Sequence, residues 1–163
     1  MSDIPVFTIT RVFEAPRAVV FDAWADPEKM VQWSGPPGAK LTTLSGSITE
    51  GSAMHTRSDH PQMGTTYTLA LWREVRPHSR IVWEQSFADE TGGKVLPSFF
   101  KAWPLTLLTE VDFEDAGMNT RVTLRWTPIE GSEEDFAEFA RMMSSMNQGW
   151  GGSFDELEKF LRD

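Results

Sequence analysis

Residues 132–163, SEEDFAEFARMMSSMNQGWGGSFDELEKFLRD, decide how the rest of the chain is read. Phe136, Phe139, Met143, Met146, Trp150, Phe154, Leu157 and Leu161 recur at three- and four-residue steps, the spacing that collects side chains on one face of an α-helix. Ser132 ahead of Glu133, Glu134 and Asp135 has the form of an N-cap with acidic residues set against the positive helix end. Some 30 residues at ~1.5 Å each give a rod of roughly 45 Å. One local feature opposes an unbroken helix. Gly149, Gly151 and Gly152 each cost up to ~1 kcal/mol relative to Ala, and Ser153-Phe154-Asp155-Glu156 reads as a second capping box. The apolar period crosses the glycines without a phase change, so a continuous or merely kinked helix is expected.

A helix with so long an apolar stripe needs a surface to lie on, and the residues upstream supply it. Residues 6–14 alternate as a strand, which Ala15-Pro16 stops. Pro16 suits the first turn of a helix in which Val19, Val20, Ala23 and Trp24 recur, and Asp26-Pro27 opens a second short helix ending near Trp33. Ser34-Gly35-Pro36-Pro37-Gly38 is a loop. Six strands follow, over 40–48, 52–58, 65–76, 81–88, 105–115 and 119–128, and connections such as Pro77-His78-Ser79 and Ala116-Gly117-Met118 are short enough for antiparallel hairpins. Tyr67, Leu69 and Leu71 share one strand face, as do Ile81, Trp83 and Phe87, then Leu107, Val111 and Phe113, then Val122, Leu124 and Trp126. Trp72 is out of phase with Leu69 and Leu71. It marks either a subunit contact, and so a homodimer, or a bulge that restores the inward direction. Residues 89–104 are too long for a hairpin turn and too aromatic for a solvated linker, so Phe99, Phe100 and Trp103 are expected to pack on something. The fold class is α+β: a curved antiparallel sheet wrapped around a long C-terminal helix, with two short helices after the first strand.

Bulk composition fits this plan. A chain of 163 residues suits one domain over 1–163, and 40% hydrophobic with 12% aromatic residues is ample to build a core. Acidic residues number 24 against 15 basic ones, a formal charge of −9 with no Lys or Arg stripe, which argues against a nucleic-acid partner. The absence of cysteine removes disulfide frameworks and thiolate chemistry. Residues 1–10 lack a basic region followed by an apolar run, and nowhere is there a stretch of ~20 apolar residues, so a soluble cytoplasmic protein with no membrane partner is expected.

Few residues carry a chemical signature. His55, His60 and His78 lie in separate segments without metal-ligand spacing, and no cofactor fingerprint occurs. Ser153 lacks the strand-to-helix turn of a nucleophile elbow and reads as a helix cap. Glu84, Glu110 and Asp112 fall on the polar faces of their strands, where solvation is expected, so no catalytic residue is assigned. Gln85 and Thr109 fall in phase with apolar neighbours, placed either to orient a ligand or to satisfy one another. Phe136, Phe139, Met143, Met146, Trp150 and Phe154 are candidates to line a cavity beneath the sheet, with Trp83 opposite and Phe99, Phe100 and Trp103 as a lid. Core packing accounts for each of them singly. As a group, deformable methionines and an aromatic insertion favour some open volume.

The order of strand, two short helices, six strands and long helix resembles the helix-grip arrangement of the START-like (SRPBCC) superfamily. Within it the chain is most similar to the AHSA-type family, named for homology to the activator of the ninety-kilodalton heat-shock chaperone's ATPase. The resemblance rests on Arg11-Val12-Phe13-Glu14-Ala15-Pro16 with Val20-Phe21, on Ala23-Trp24-Ala25-Asp26-Pro27-Glu28, on Trp33-Ser34-Gly35-Pro36, and on Gly149-Trp150 followed by Leu157 and Leu161. Two positions depart from the family pattern: the aromatic pair before the Gly-Pro loop is reduced to Trp33-Ser34, and the glycine pair near residue 50 is Gly51-Ser52. The resemblance implies a domain that takes a small hydrophobic or aromatic molecule between helix and sheet. Its alternatives are a co-chaperone that stimulates a heat-shock chaperone ATPase, in a stress response, and a cyclase- or hydrolase-type enzyme that needs an inward acid or base.

Overall fold

Period-two alternation and short connections build a meander in the computed structural model, which describes residues 4–35 and 38–163. The strands are β1 Phe7–Phe13, β2 Lys40–Ser45, β3 Ala53–His60, β4 Gly64–Arg76, β5 Arg80–Ala88, β6 Thr106–Ala116 and β7 Asn119–Glu130. They form one antiparallel sheet ordered β1-β7-β6-β5-β4-β3-β2. The β6–β7 turn needs only Gly117 and Met118, with Gly117 at φ +69°, a conformation that a residue bearing a Cβ adopts at a cost. The strand β1 returns to the far edge beside β7, with Phe7 opposite Trp126 and Phe13 opposite Thr120.

Between β1 and β2 lie α1 Arg17–Ala25 and α2 Pro27–Trp33. Pro16 serves as the N-cap of α1, and the Asp26 carboxylate caps α2 by accepting from the Glu28 N–H at 3.0 Å. Pro36 and Pro37 of the following loop lie outside the described residues. The two helices are locked together by Trp33, whose Nε1 donates to the Ala23 carbonyl at 2.9 Å while its ring stands edge-on to Trp24 at 4.6 Å.

The C-terminal segment divides into α3 Glu133–Arg141 and α4 Met143–Arg162. Ser132 and Asp135 form a reciprocal capping box at the start of α3. The discontinuity falls at Met142, whose N–H is shared between the Glu138 and Phe139 carbonyls at 3.1 and 3.2 Å. The helix α4 runs unbroken through Gly149, Gly151 and Gly152. The expected 45 Å rod is therefore a 9-residue helix followed by a 20-residue one, the second about 30 Å long. Burial of Phe154 and Leu157, both fully enclosed, holds the glycine-rich turn helical where propensity alone would not. Ser153 caps nothing; its hydroxyl donates to the Gly35 carbonyl at 3.1 Å and ties the α2–β2 loop to α4.

One phase assignment is corrected. Trp72 is buried and stands opposite Trp83, so Thr66, Thr68 and Ala70 face inward with it, while Tyr67, Leu69 and Leu71 lie half-buried on the outer face. A bulge at Arg73 then lets Val75 meet Ile81 on the inner face. Both phases of β4 carry apolar residues, so alternation within the strand could not choose between them. The partner strand does.

The expected solvated carboxylates are instead paired across the outer face. Arg80 contacts Glu74, Glu110 and Asp112 at 3.1, 2.6 and 2.9 Å, Arg125 contacts Asp112 at 2.9 Å, and Glu84 pairs with Arg73. Partial burial works against the Arg80 charge, but hydrogen bonds to Glu110 and Asp112 outweigh it and raise the guanidinium pKa above its ordinary value. Among the described residues no helix is long and apolar enough to cross a membrane.

Candidate functional site

The inner face of the sheet is not filled by α4. A cavity of about 410 Å³ remains between them, within the size range of small-molecule sites. Six of the chain's seven tryptophans border it: Trp24 from α1, Trp33 from α2, Trp72 from β4, Trp83 from β5, Trp126 from β7 and Trp150 from α4. They support one another. Trp72 and Trp83 lie 5.0 Å apart, Trp24 stacks on Trp150 at 6.3 Å, and Trp150 meets Trp126 edge-on at 5.6 Å. Met54, Met146 and Gly149 complete this aromatic part.

Polar groups fix the indoles. Trp126 Nε1 donates to Thr109 Oγ1 at 2.8 Å and Trp83 Nε1 donates to Gln85 Oε1 at 3.1 Å. Trp24 Nε1 and Trp72 Nε1 are buried without a hydrogen-bond partner among the described residues. Each such group costs on the order of 1–3 kcal/mol, which the surrounding aromatic packing offsets.

Toward the opening the wall changes character. The register sets Thr56 opposite Thr68, Ser58 opposite Thr66 and His60 opposite Gly64, all on the inner face of β3 and β4. His60 Nδ1 accepts from the backbone N–H groups of Gln62 and Met63 at 3.1 and 3.0 Å, shaping the turn between these strands. Met63 and Phe99 flank the opening, with 53% and 56% of their surfaces exposed. Behind Phe99, Phe100 stacks on Trp103 at 5.0 Å and contacts Phe87 at 5.5 Å. The segment is anchored where the Trp103 N–H donates to Asp135 Oδ1 at 3.1 Å. Hydrogen bonds from the Ser132 backbone and side chain, together with that from Trp103, hold the Asp135 carboxyl below the usual carboxylate range.

Of the residues expected to form a site, Trp83, Gln85, Phe99, Phe100, Met146 and Trp150 meet at the cavity wall. The others stand off it. Phe154 is enclosed between Phe13 and Trp24, Phe139 packs against Trp103 and Trp126, and the Thr109 oxygen is committed to Trp126. Trp103 is buried behind Phe100, while Phe136 and Met143 are half-buried away from the cavity. One helix face must both seal the core and border the space, and periodicity does not separate the two roles. Gln85 and Thr109 satisfy indoles, not each other.

Sequence reasoning missed Trp72, Met54 and the hydroxyl-bearing positions of β3 and β4. Taking Trp72 as the phase reference for β4 gives Thr66, Thr68 and Ala70, whereas the β3 positions follow only from the β3–β4 register. Among the described residues no Asp, Glu, Lys or Arg borders the cavity, and no group of three or more His, Cys, Asp or Glu could hold a metal ion. His55 lies on the outer face, hydrogen-bonded to the Asp89 carbonyl at 2.9 Å, and His78 sits in the β4–β5 turn 5.7 Å from the Phe21 ring.

Residues 14–162 match the profile of the family described as Activator of Hsp90 ATPase homolog 1-like protein. Solved structures with the same fold include a protein from Staphylococcus epidermidis, 25% identical, with a TM-score of 0.76 over 99% of this chain and 92% of that one. A protein from Arthrobacter aurescens is 23% identical, with a TM-score of 0.78 over 96% of this chain and 86% of that one. An AHSA1 protein from Silicibacter pomeroyi is 16% identical, with a TM-score of 0.73 over 97% and 98%. No curated protein matches the chain in sequence.

Proposed function

This chain belongs to the Activator of Hsp90 ATPase homolog 1-like family, and on that premise we propose that it binds a small hydrophobic or aromatic molecule in the cavity between α4 and the sheet, acting in the cytoplasm. The observation that carries the reading is the cavity itself: about 410 Å³ bordered by six indoles. An aromatic guest burying roughly 250 Å² of apolar surface would gain about 6 kcal/mol at ~25 cal/mol per Å². Lost translational and rotational freedom, at least ~4 kcal/mol, offsets much of that gain. The remainder, at most about 2 kcal/mol, corresponds to a dissociation constant of tens of millimolar for so small a guest, and tighter binding requires a larger one or oriented polar contacts. Native mass spectrometry of the protein purified from its own host tests this directly. A retained small-molecule adduct, lost on denaturation, is expected; a bare chain that also fails to bind a panel of aromatic compounds would refute the reading.

The family's description favours a second reading, a co-chaperone that stimulates a heat-shock chaperone ATPase. Stimulation of the purified chaperone's ATPase, with co-precipitation of the two proteins, is its test. No stimulation at saturating concentration would retire it.

A further inference from the structure

Resting on the cavity-binding reading, the geometry points to a specific ligand chemistry: we infer that the guest is a neutral, oxygen-bearing aromatic molecule, held rings-inward with its oxygens on a ladder of hydroxyls formed by β3 and β4. Thr56, Thr68, Ser58 and Thr66 all border the cavity, and the register makes them two directly opposed pairs. Opposed positions in an antiparallel ladder have Cβ atoms about 5 Å apart, and successive inward positions on one strand are about 7 Å apart. The Cβ atoms that carry the four hydroxyls therefore mark a quadrilateral of about those dimensions on a single wall.

None of these side-chain hydroxyls hydrogen-bonds another described residue. Each can both donate and accept. That separates them from Thr109 and the Gln85 carbonyl, which already accept from indoles, from Ser153, which donates to the Gly35 carbonyl, and from His60, whose Nδ1 accepts from the Gln62 and Met63 N–H groups. On the same two strands the next inward positions are Met54, Ala70 and Trp72, facing Trp83 and the aromatic part of the cavity. The wall thus has a direction, from indoles to hydroxyls. A guest with a hydroxyl or carbonyl at one end satisfies both parts. A plain hydrocarbon leaves the ladder without partners, and a polar group forced among the indoles would lose its own hydration, because the unpartnered donors there, Trp24 Nε1 and Trp72 Nε1, are themselves buried out of reach. Charge is selected against as well. No Lys or Arg borders the cavity among the described residues, and the Nδ1 of His60 at its wall is taken up as an acceptor by the Gln62 and Met63 N–H groups, so a carboxylate or phosphate would enter without a lysine or arginine to pair with.

Isothermal titration calorimetry with naphthalene, 2-naphthol and 2-naphthoate at pH 7 tests the inference, since the three share one ring system and differ in oxygen and charge. The wild-type protein should bind 2-naphthol at least about fivefold more tightly than naphthalene, and at least about tenfold more tightly than 2-naphthoate. In the Thr56→Val/Thr68→Val variant, which keeps β-branched side chains in place, the naphthol preference over naphthalene should fall to within twofold while naphthalene binds as before. The Ser58→Ala/Thr66→Val variant provides an independent second reading of the same loss. Naphthalene bound as well as 2-naphthol by the wild type, a preference unchanged in both variants, or 2-naphthoate bound most tightly would overturn the inference and leave cavity binding standing. Failure of all three compounds to bind would remove both.

Discussion

Replacing Gly149 and Gly151 together by alanine should make the protein more stable. Both residues are inside α4. A Cβ built on Gly149 meets nothing within 4 Å, and on Gly151 the nearest atom is Arg11 Nη2 at 4.0 Å, so neither methyl clashes. Alanine is about 0.8–1 kcal/mol better than glycine in a helix interior, which gives about 2 kcal/mol for the pair if the two sites add. For a chain of this size that corresponds to a rise of roughly 4–8 °C in Tm. Urea unfolding followed by circular dichroism should show the midpoint displaced upward with the slope unchanged. Unchanged or lowered stability would mean that the backbone there is not helical in solution and that the capping-box reading of residues 153–156 had been right. Gly149 also borders the cavity, so Gly149→Ala alone should combine higher stability with weaker binding of bulky guests, a trade expected where a glycine keeps a site open.

Arg80→Met should destabilise the fold by about 1 kcal/mol, because Glu74, Glu110 and Asp112 lose their shared cation and keep only the more exposed Arg76 and Arg125. Part of the loss should return in 0.5 M NaCl, where the remaining repulsion is screened, and a salt-independent loss in thermal melts would contradict the ion-cluster account. Asp135→Ala removes the capping box and the Trp103 anchor together, and should cost about 1 kcal/mol at pH 7. Because the Asp135 pKa is lowered in the folded state, its contribution is complete above the ordinary aspartate pKa and disappears as pH falls through the folded value. The gap between variant and wild type should therefore close below about pH 4, and a gap constant down to pH 2 would show that the charge is not involved.

The sheet was legible because alternation and short Gly- or Pro-containing turns are local signals, and the inward residues Ile81, Val111, Val122 and Leu124 follow from them directly. Continuity of α4 through its glycines was legible from the uninterrupted apolar period. Two things were not. The break at Met142 leaves no mark in composition or capping residues, so two helices read as one. The phase of β4 was hidden because Tyr67, Leu69 and Leu71 on one side and Ala70 and Trp72 on the other are both apolar, and only pairing with Trp83 decides. The candidate site inherited that uncertainty. Its helix and β5 contributions, Met146, Trp150, Trp83 and Gln85, could be read from periodicity. Its hydroxyl wall depended on the register of β3 against β4, a long-range fact that no window of sequence contains. The pairing of Glu84, Glu110 and Asp112 with arginines was missed for the same reason, since their partners sit on neighbouring strands.

Whether a guest occupies the space under the sheet is measured most directly by a crystal structure of the protein soaked with 2-naphthol. The rings are predicted to lie against Trp83, Trp150 and Met54 with the oxygen toward Thr56 and Thr68. Indoles closed over a vanished cavity, with any naphthol confined to the outer surface, would contradict it.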